Sequence, residues 1–222
     1  GAARVRGRWI FLPLEPGYIL VLGECGGRML LHQPGSTAPD KYHLRLDLED
    51  GSLFTVTTQM WGAMELYEKG KELERDYIKG MRPTPAEQSF TFDYFTDLID
   101  SLDAGEKRSV KGLLTQDQLI PGLGNAGAQD IMFRARLHPR HPVGELEELQ
   151  RRKLYDSILS TVHDIIEKGG RYDELDLYGK RGGYVRVMDS KAVGRPCPVC
   201  GHEVEKIAYL GGSCYLCPVC QQ

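Results

Sequence analysis

The chain has 222 residues, of which 41% are hydrophobic and 27% charged, enough for one or two domains with a real core. No apolar run reaches bilayer-spanning length and the N-terminus carries no signal-peptide pattern, so a protein of the reducing cytosol is expected, with no membrane partner. The net charge of −3 argues against nucleic acid, but it is unevenly spread: residues 1–106 carry 11 Lys/Arg against 17 Asp/Glu, and residues 107–222 carry 17 against 14. The second half is therefore the place to look for an anion-binding face.

The first sixty residues read as β-structure. A strand is predicted from Arg4 to Leu12, and Tyr18-Ile19-Leu20-Val21-Leu22 follows the Pro16-Gly17 turn. Arg28 to His32 makes a third apolar run. His43 to Leu48 alternates as a half-buried strand, and Asp50-Gly51 turns it into Leu53 to Thr57. Short strands separated by turns predict a sandwich or barrel. Residues 62–69 read as a short helix and 70–88 as a linker. Amphipathic helices are predicted over Asp93–Asp100, Ser109–Leu114, Gly124–Ala135 and Glu145–Lys168, the last ended by Gly169-Gly170. Residues 171–196 show no period and read as a long loop.

The C-terminus carries two Cys-x-x-Cys pairs, Cys197/Cys200 and Cys217/Cys220, sixteen residues apart. Four thiolates so spaced can close a tetrahedron around one structural Zn2+, leaving no open position for a catalytic water. Two disulfides would satisfy the same spacing, but no secreted cysteine framework accompanies them. The segment between reads as a hairpin turning at Gly211-Gly212, which makes a zinc ribbon. Cys25 and Cys214 stand outside the set and read as buried thiols; His202 could replace a ligand, but four cysteines suffice.

Pro121-Gly122-Leu123-Gly124-Asn125 opens the third predicted helix. A Gly-rich turn at a helix N-terminus offers backbone N–H groups and the positive dipole end to a phosphate, with Asn125 as cap. A helix–turn–helix connection with an Asn cap and no ligand fits the same residues.

Taken with the four cysteines, the run Ile120 to Pro139 resembles the formamidopyrimidine-DNA glycosylase / endonuclease VIII (Fpg/Nei) family. That family carries a helix–two-turns–helix motif, GxGNxxxxEhLFxAxhHP, before a C-terminal zinc finger. Gly122, Gly124, Asn125, Phe133, Ala135, His138 and Pro139 match, and Asp130 stands where the family has Glu. Lys111 falls where the family has a phosphate-contacting lysine. The resemblance implies an α+β protein: an incomplete N-terminal β-sandwich-like domain (1–80), a helical domain with the helix–two-turns–helix (81–170), a loop (171–196) and a zinc ribbon (197–222).

The implied activity is that of a DNA glycosylase and abasic-site lyase of base excision repair. Such enzymes act as monomers on damaged or abasic double-stranded DNA, and glycosylases flip the lesion nucleotide out of the stack. The family cuts through a Schiff base on an N-terminal proline amine, with an adjacent Glu moving protons. The implied DNA-binding residues are Lys111, Gly122, Gly124, Asn125, Lys180 and Arg181, the last two in a lesion-recognition loop at Tyr178–Tyr184. Arg134 and Arg136 could reach the backbone or form a solvated helix face; Tyr209 and Tyr215 read as packing on the ribbon.

This sequence also departs from the family. It opens Gly1-Ala2-Ala3-Arg4 rather than Pro-Glu, and Glu15-Pro16 is internal, so it is expected to be a fragment lacking the catalytic N-terminal segment. Arg8 replaces a family lysine, keeping charge but titrating too high to shuttle protons readily. Glu24 stands where many members place a void-filling Met, and Gln59-Met60-Trp61 replaces the Arg-Arg-Phe wedge. Gly211-Gly212 replaces a Gln-Arg whose arginine contacts phosphates at the lesion. The rival readings are a non-catalytic zinc-ribbon nucleic-acid-binding protein derived from the family, and a zinc-ribbon scaffold that binds protein.

Overall fold

The computed structural model describes residues 1–23, 27–58, 62–102 and 108–222, with the side chain of Tyr77 excepted. Its contacts divide into two compact units. One comprises Gly1–Met81 and Lys168–Tyr184, the other Arg82–Glu167 and Val185–Gln222. The segment expected as one loop over 171–196 thus divides between them after Tyr184.

The first unit contains two antiparallel sheets. Strands β1 (Arg4–Arg6), β2 (Trp9–Leu14), β3 (Tyr18–Gly23) and β7 (Ala63–Glu68) form one in that order. Strands β4 (Arg28–His32), β6 (Leu53–Thr57) and β5 (Leu44–Asp47) form the other. The unbroken apolar run of β3 is explained by burial on both faces. Leu20 and Leu22 meet Val56 of the second sheet, while Ile19 and Val21 pack with Trp9, Phe11 and Ile78. Gly23 is where the Trp9 ring lies: a Cβ there would stand 2.2 Å from it.

Two sequence expectations fail in this unit. The strand predicted over Arg4–Leu12 is two strands, because Gly7 takes a positive φ of 58° and folds Arg6 back opposite Trp9. The helix predicted over residues 62–69 is strand β7. Its residues favour a helix locally, but pairing with β3 from Tyr18↔Glu68 to Gly23↔Ala63 overrides that preference. Lys168–Tyr184 joins this unit through the Leu31 amide, which donates to the Leu177 carbonyl at 2.7 Å.

The second unit is built on helices α2 (Phe92–Asp100), α3 (Val110–Thr115), α4 (Asn125–Ala135) and α5 (Glu148–Glu167); a four-residue helix α1 (Asp76–Lys79) belongs to the first. Their apolar faces bury Phe95, Leu113, Ile120, Ile131, Met132, Leu154 and Ile158. Thr91 and Ser109 cap α2 and α3, their hydroxyls accepting from the Tyr94 and Gly112 amides. Helix α5 begins three residues later than predicted, after a single 3-10 turn at Val143–Glu145. Strands β8 (Glu205–Tyr209) and β9 (Gly212–Leu216) form the C-terminal hairpin. Its turn is Leu210-Gly211, both at positive φ, so Gly212 is the first residue of β9 and not part of the turn as expected. Among the described residues no helix is long and apolar enough to cross a membrane.

Candidate nucleic-acid interface

The N-termini of α3 and α4 differ in what reaches them. At α3 the Val110 and Lys111 amides donate to the His141 and Pro139 carbonyls, and the Ser109 hydroxyl takes the Gly112 amide. At α4 the cap is Gly124, in extended backbone and without a side-chain acceptor. The expected Asn125 cap is corrected: Asn125 is the first helical residue, so its side chain is released for other contacts. Gly122 holds the preceding turn at φ 93°, a conformation that favours glycine. The first-turn amides of α4 therefore face outward without a capping side chain, the geometry that suits an anion.

Three groups converge beside this helix end. Lys111 is 1% exposed, and its ammonium donates to the Tyr209 carbonyl at 2.5 Å. That partner is neutral, and among the described residues no carboxylate is paired with this ammonium, as burial of charge ordinarily requires. Asn125 donates through Nδ2 to the Ser213 carbonyl at 3.4 Å. Gly212 lies between them: a Cβ built on it would stand 3.5 Å from Lys111 Nζ and 3.7 Å from both polar atoms of the Asn125 amide. The hairpin, the lysine and the helix N-terminus thus make one positively charged recess within the second unit.

Two neighbouring side chains hold this junction together. Gln129, fully buried, donates through Nε2 to the Asn125 side-chain oxygen at 3.2 Å and the Ser213 carbonyl at 3.1 Å. Its Oε1 accepts the Tyr215 amide at 3.1 Å. Asp130, also fully buried, accepts the amides of Val187 and Met188 at 3.1 and 2.7 Å, which fixes the chain leading into the ribbon. Sequence reasoning treated Asp130 only as a substitute for Glu and missed Gln129. Adjacent polar residues at one point of an otherwise buried helix were the available signal.

The four cysteine sulfurs lie within 4.8 Å of one another, and all four thiols are free. Cys197–Cys220 and Cys200–Cys217 are separated by 3.8 and 3.4 Å. A tetrahedral site with metal–sulfur bonds of about 2.3 Å has sulfur–sulfur edges of about 3.8 Å, so the donor set fits one ion. Burial raises the Cys197 thiol, but the amides of Cys200 and Val199 more than offset it and bring it down to about 7. Cys220 is pushed up to about 12, by burial first and then by the surrounding sulfurs. His202 is exposed and contributes its carbonyl, to the Cys197 amide, rather than its ring. Tyr215 packs against the cluster of Phe133, Met188 and Val204, as the ribbon reading expected.

Other candidates fall elsewhere. Arg134 is bound to Asp164 at 2.7 Å. Arg136 ends α4 in the left-handed region, over the Phe133 ring. Arg140, which the sequence did not single out, lies 4.4 Å over the Tyr209 ring. Arg8 is exposed in the β1–β2 turn. Lys180 and Arg181 are exposed residues of the first unit, in a turn where Asp176 accepts the Tyr178 and Lys180 amides, each at 2.9 Å. Glu24, Cys25 and Gln59-Met60-Trp61 lie outside the described residues.

Residues 81–174 match the family model described as the formamidopyrimidine-DNA glycosylase H2TH domain. The formamidopyrimidine-DNA glycosylase of Roseiflexus sp. is 31% identical over 98% of this chain and 79% of its own length. This chain belongs to the formamidopyrimidine-DNA glycosylase family. The Desulfitobacterium hafniense glycosylase of that name is 30% identical over 97% of this chain and 79% of its own length. The fold is that of the MutM (Fpg) protein from Thermus thermophilus, at a TM-score of 0.82 and 28% identity over 99% of this chain and 81% of the other. The Lactococcus lactis Fpg, solved in complex with DNA containing an abasic site, superposes at 0.84 with 24% identity over the same shares. Lys111 and Asn125 lie within the matched residues 81–174, and Gly212 lies beyond them in the C-terminal hairpin.

Proposed function

We propose that this protein is a DNA glycosylase and abasic-site lyase of base excision repair, working as a monomer in the cytosol on damaged double-stranded DNA. The observation that carries the reading is the buried Lys111 ammonium, bound to the neutral Tyr209 carbonyl, beside the N-terminus of α4 that has no side-chain cap. A duplex phosphate supplies the anion this recess lacks. Lys111 contributes a full charge, the Gly124–Asn125 turn contributes amides, and Asn125 contributes a side-chain N–H donor. Such contacts position the backbone without reading sequence, which suits a protein that must hold DNA while a nucleotide leaves the stack. Lys180 and Arg181, beside the exposed Tyr178, offer charge and a stacking surface to the same substrate.

Cys197, Cys200, Cys217 and Cys220 hold one structural Zn2+. With all four positions filled by protein, its contribution is folding of the ribbon, and through it placement of Tyr209, Gly212 and Ser213 against Lys111 and Asn125.

The test, made on the full-length protein with its natural N-terminus, is incision of a labelled duplex carrying one abasic or oxidised site, with borohydride added to trap a Schiff base. Incision with a trapped covalent adduct supports the reading. Tight duplex binding with neither incision nor adduct would instead make this the non-catalytic nucleic-acid-binding member of the family, and absence of binding would overturn both.

A further inference from the structure

We infer that Gln129 is a positioning residue for the phosphate recess: it fixes which end of the Asn125 amide faces the incoming anion. An asparagine amide can present either its oxygen or its NH2 group, and only the second attracts a phosphate. The exposed Asn125 side chain has no cap role that would choose between them. Gln129, one turn along α4, makes the choice. Its Nε2 donates to Asn125 Oδ1 at 3.2 Å, and to the Asn125 carbonyl at 3.1 Å. An NH2 group in the Oδ1 position would meet another NH2 group, so Asn125 Nδ2 must turn to the other side, toward Ser213 and the space beside Gly212.

Gln129's own orientation is fixed independently. Its Oε1 accepts the backbone amide of Tyr215 and its Nε2 donates to the Ser213 carbonyl, so reversing Gln129 would set donor against donor and acceptor against acceptor. Both anchors are backbone groups of β9, two and four residues before Cys217. The orientation of Asn125 is therefore set by the ribbon hairpin through one buried side chain.

The inference rests on the DNA-binding reading of the recess, and the test separates the two. Affinity for a fluorescent abasic-site duplex is measured for the wild type and for Asn125→Ala, Lys111→Ala, Gln129→Met and the Gln129→Met/Asn125→Ala double variant, with zinc content and Tm recorded for each. Gln129→Met is expected to weaken binding about tenfold in the wild-type background and not at all in the Asn125→Ala background, because it acts through that amide. Equal losses in both backgrounds, or no loss in either, would overturn the inference. If neither Lys111→Ala nor Asn125→Ala weakens binding, the recess itself is misassigned. Gln129→Glu guards against a folding failure of the Met variant. It keeps the acceptor for Tyr215 but no longer donates to Asn125, so it should retain zinc and lose affinity; wild-type affinity in that variant would equally overturn the inference.

Discussion

Strand β3 and helix α4 are both buried along most of their length, yet opposite kinds of contact hold them. Strand β3 buries Ile19, Leu20, Val21 and Leu22 against several apolar neighbours on both faces. Helix α4 buries Ile131 and Met132 in the same way, but it also buries Gln129 and Asp130, whose partners are particular backbone amides and carbonyls of the ribbon and the chain leading into it. Dispersed apolar contacts tolerate shape changes, whereas an unsatisfied buried polar group carries its whole desolvation cost. The scaffold is therefore built for tolerance and the recess for placement.

Removing the metal should break this comparison most severely. Chelation, or Cys197→Ser, withdraws metal-binding free energy on the order of 10–16 kcal/mol from a hairpin with little core of its own. DNA affinity should be lost while the β sheets persist, read by zinc content, binding and circular dichroism together. Leu22→Ala should destabilise the protein by about 2–5 kcal/mol, since Leu22 is fully buried between the sheets. Duplex affinity should be unchanged at temperatures where that variant stays folded, which denaturant melts and anisotropy would check. Asp130→Asn weakens charge-assisted acceptance of two amides and should cost about 1.5–3 kcal/mol, with hydrogen exchange rising at Val187 and Met188. Gly212→Ala should be the mildest change. Its methyl finds ordinary contact distances and no clash, so Tm should hold, but it fills the space between Lys111 and Asn125 and should weaken binding severalfold.

How much of this was legible in the sequence follows the same divide. The four cysteines and the Gly122-x-Gly124-Asn125 turn are local patterns with a direct physical meaning, and the apolar run Tyr18–Leu22 reads as a strand, which it is. Strand β7 was not legible, because Ala63–Glu68 becomes a strand only through pairing with the distant residues Tyr18–Gly23. The hairpin turn was displaced by one residue because Leu210, not a second glycine, accepts the left-handed backbone. Gln129 carried only the weak signal of a polar residue beside Asp130 on an apolar helix, because its partners Ser213 and Tyr215 meet it only once the ribbon is folded onto α4.

The most direct test of the central claim is the salt dependence of duplex binding by the wild type and Lys111→Ala. If Lys111 meets a phosphate, the variant should bind about tenfold or more weakly, with a slope of log affinity against log salt shallower by about one. An unchanged slope would contradict the account, whatever happened to the affinity itself.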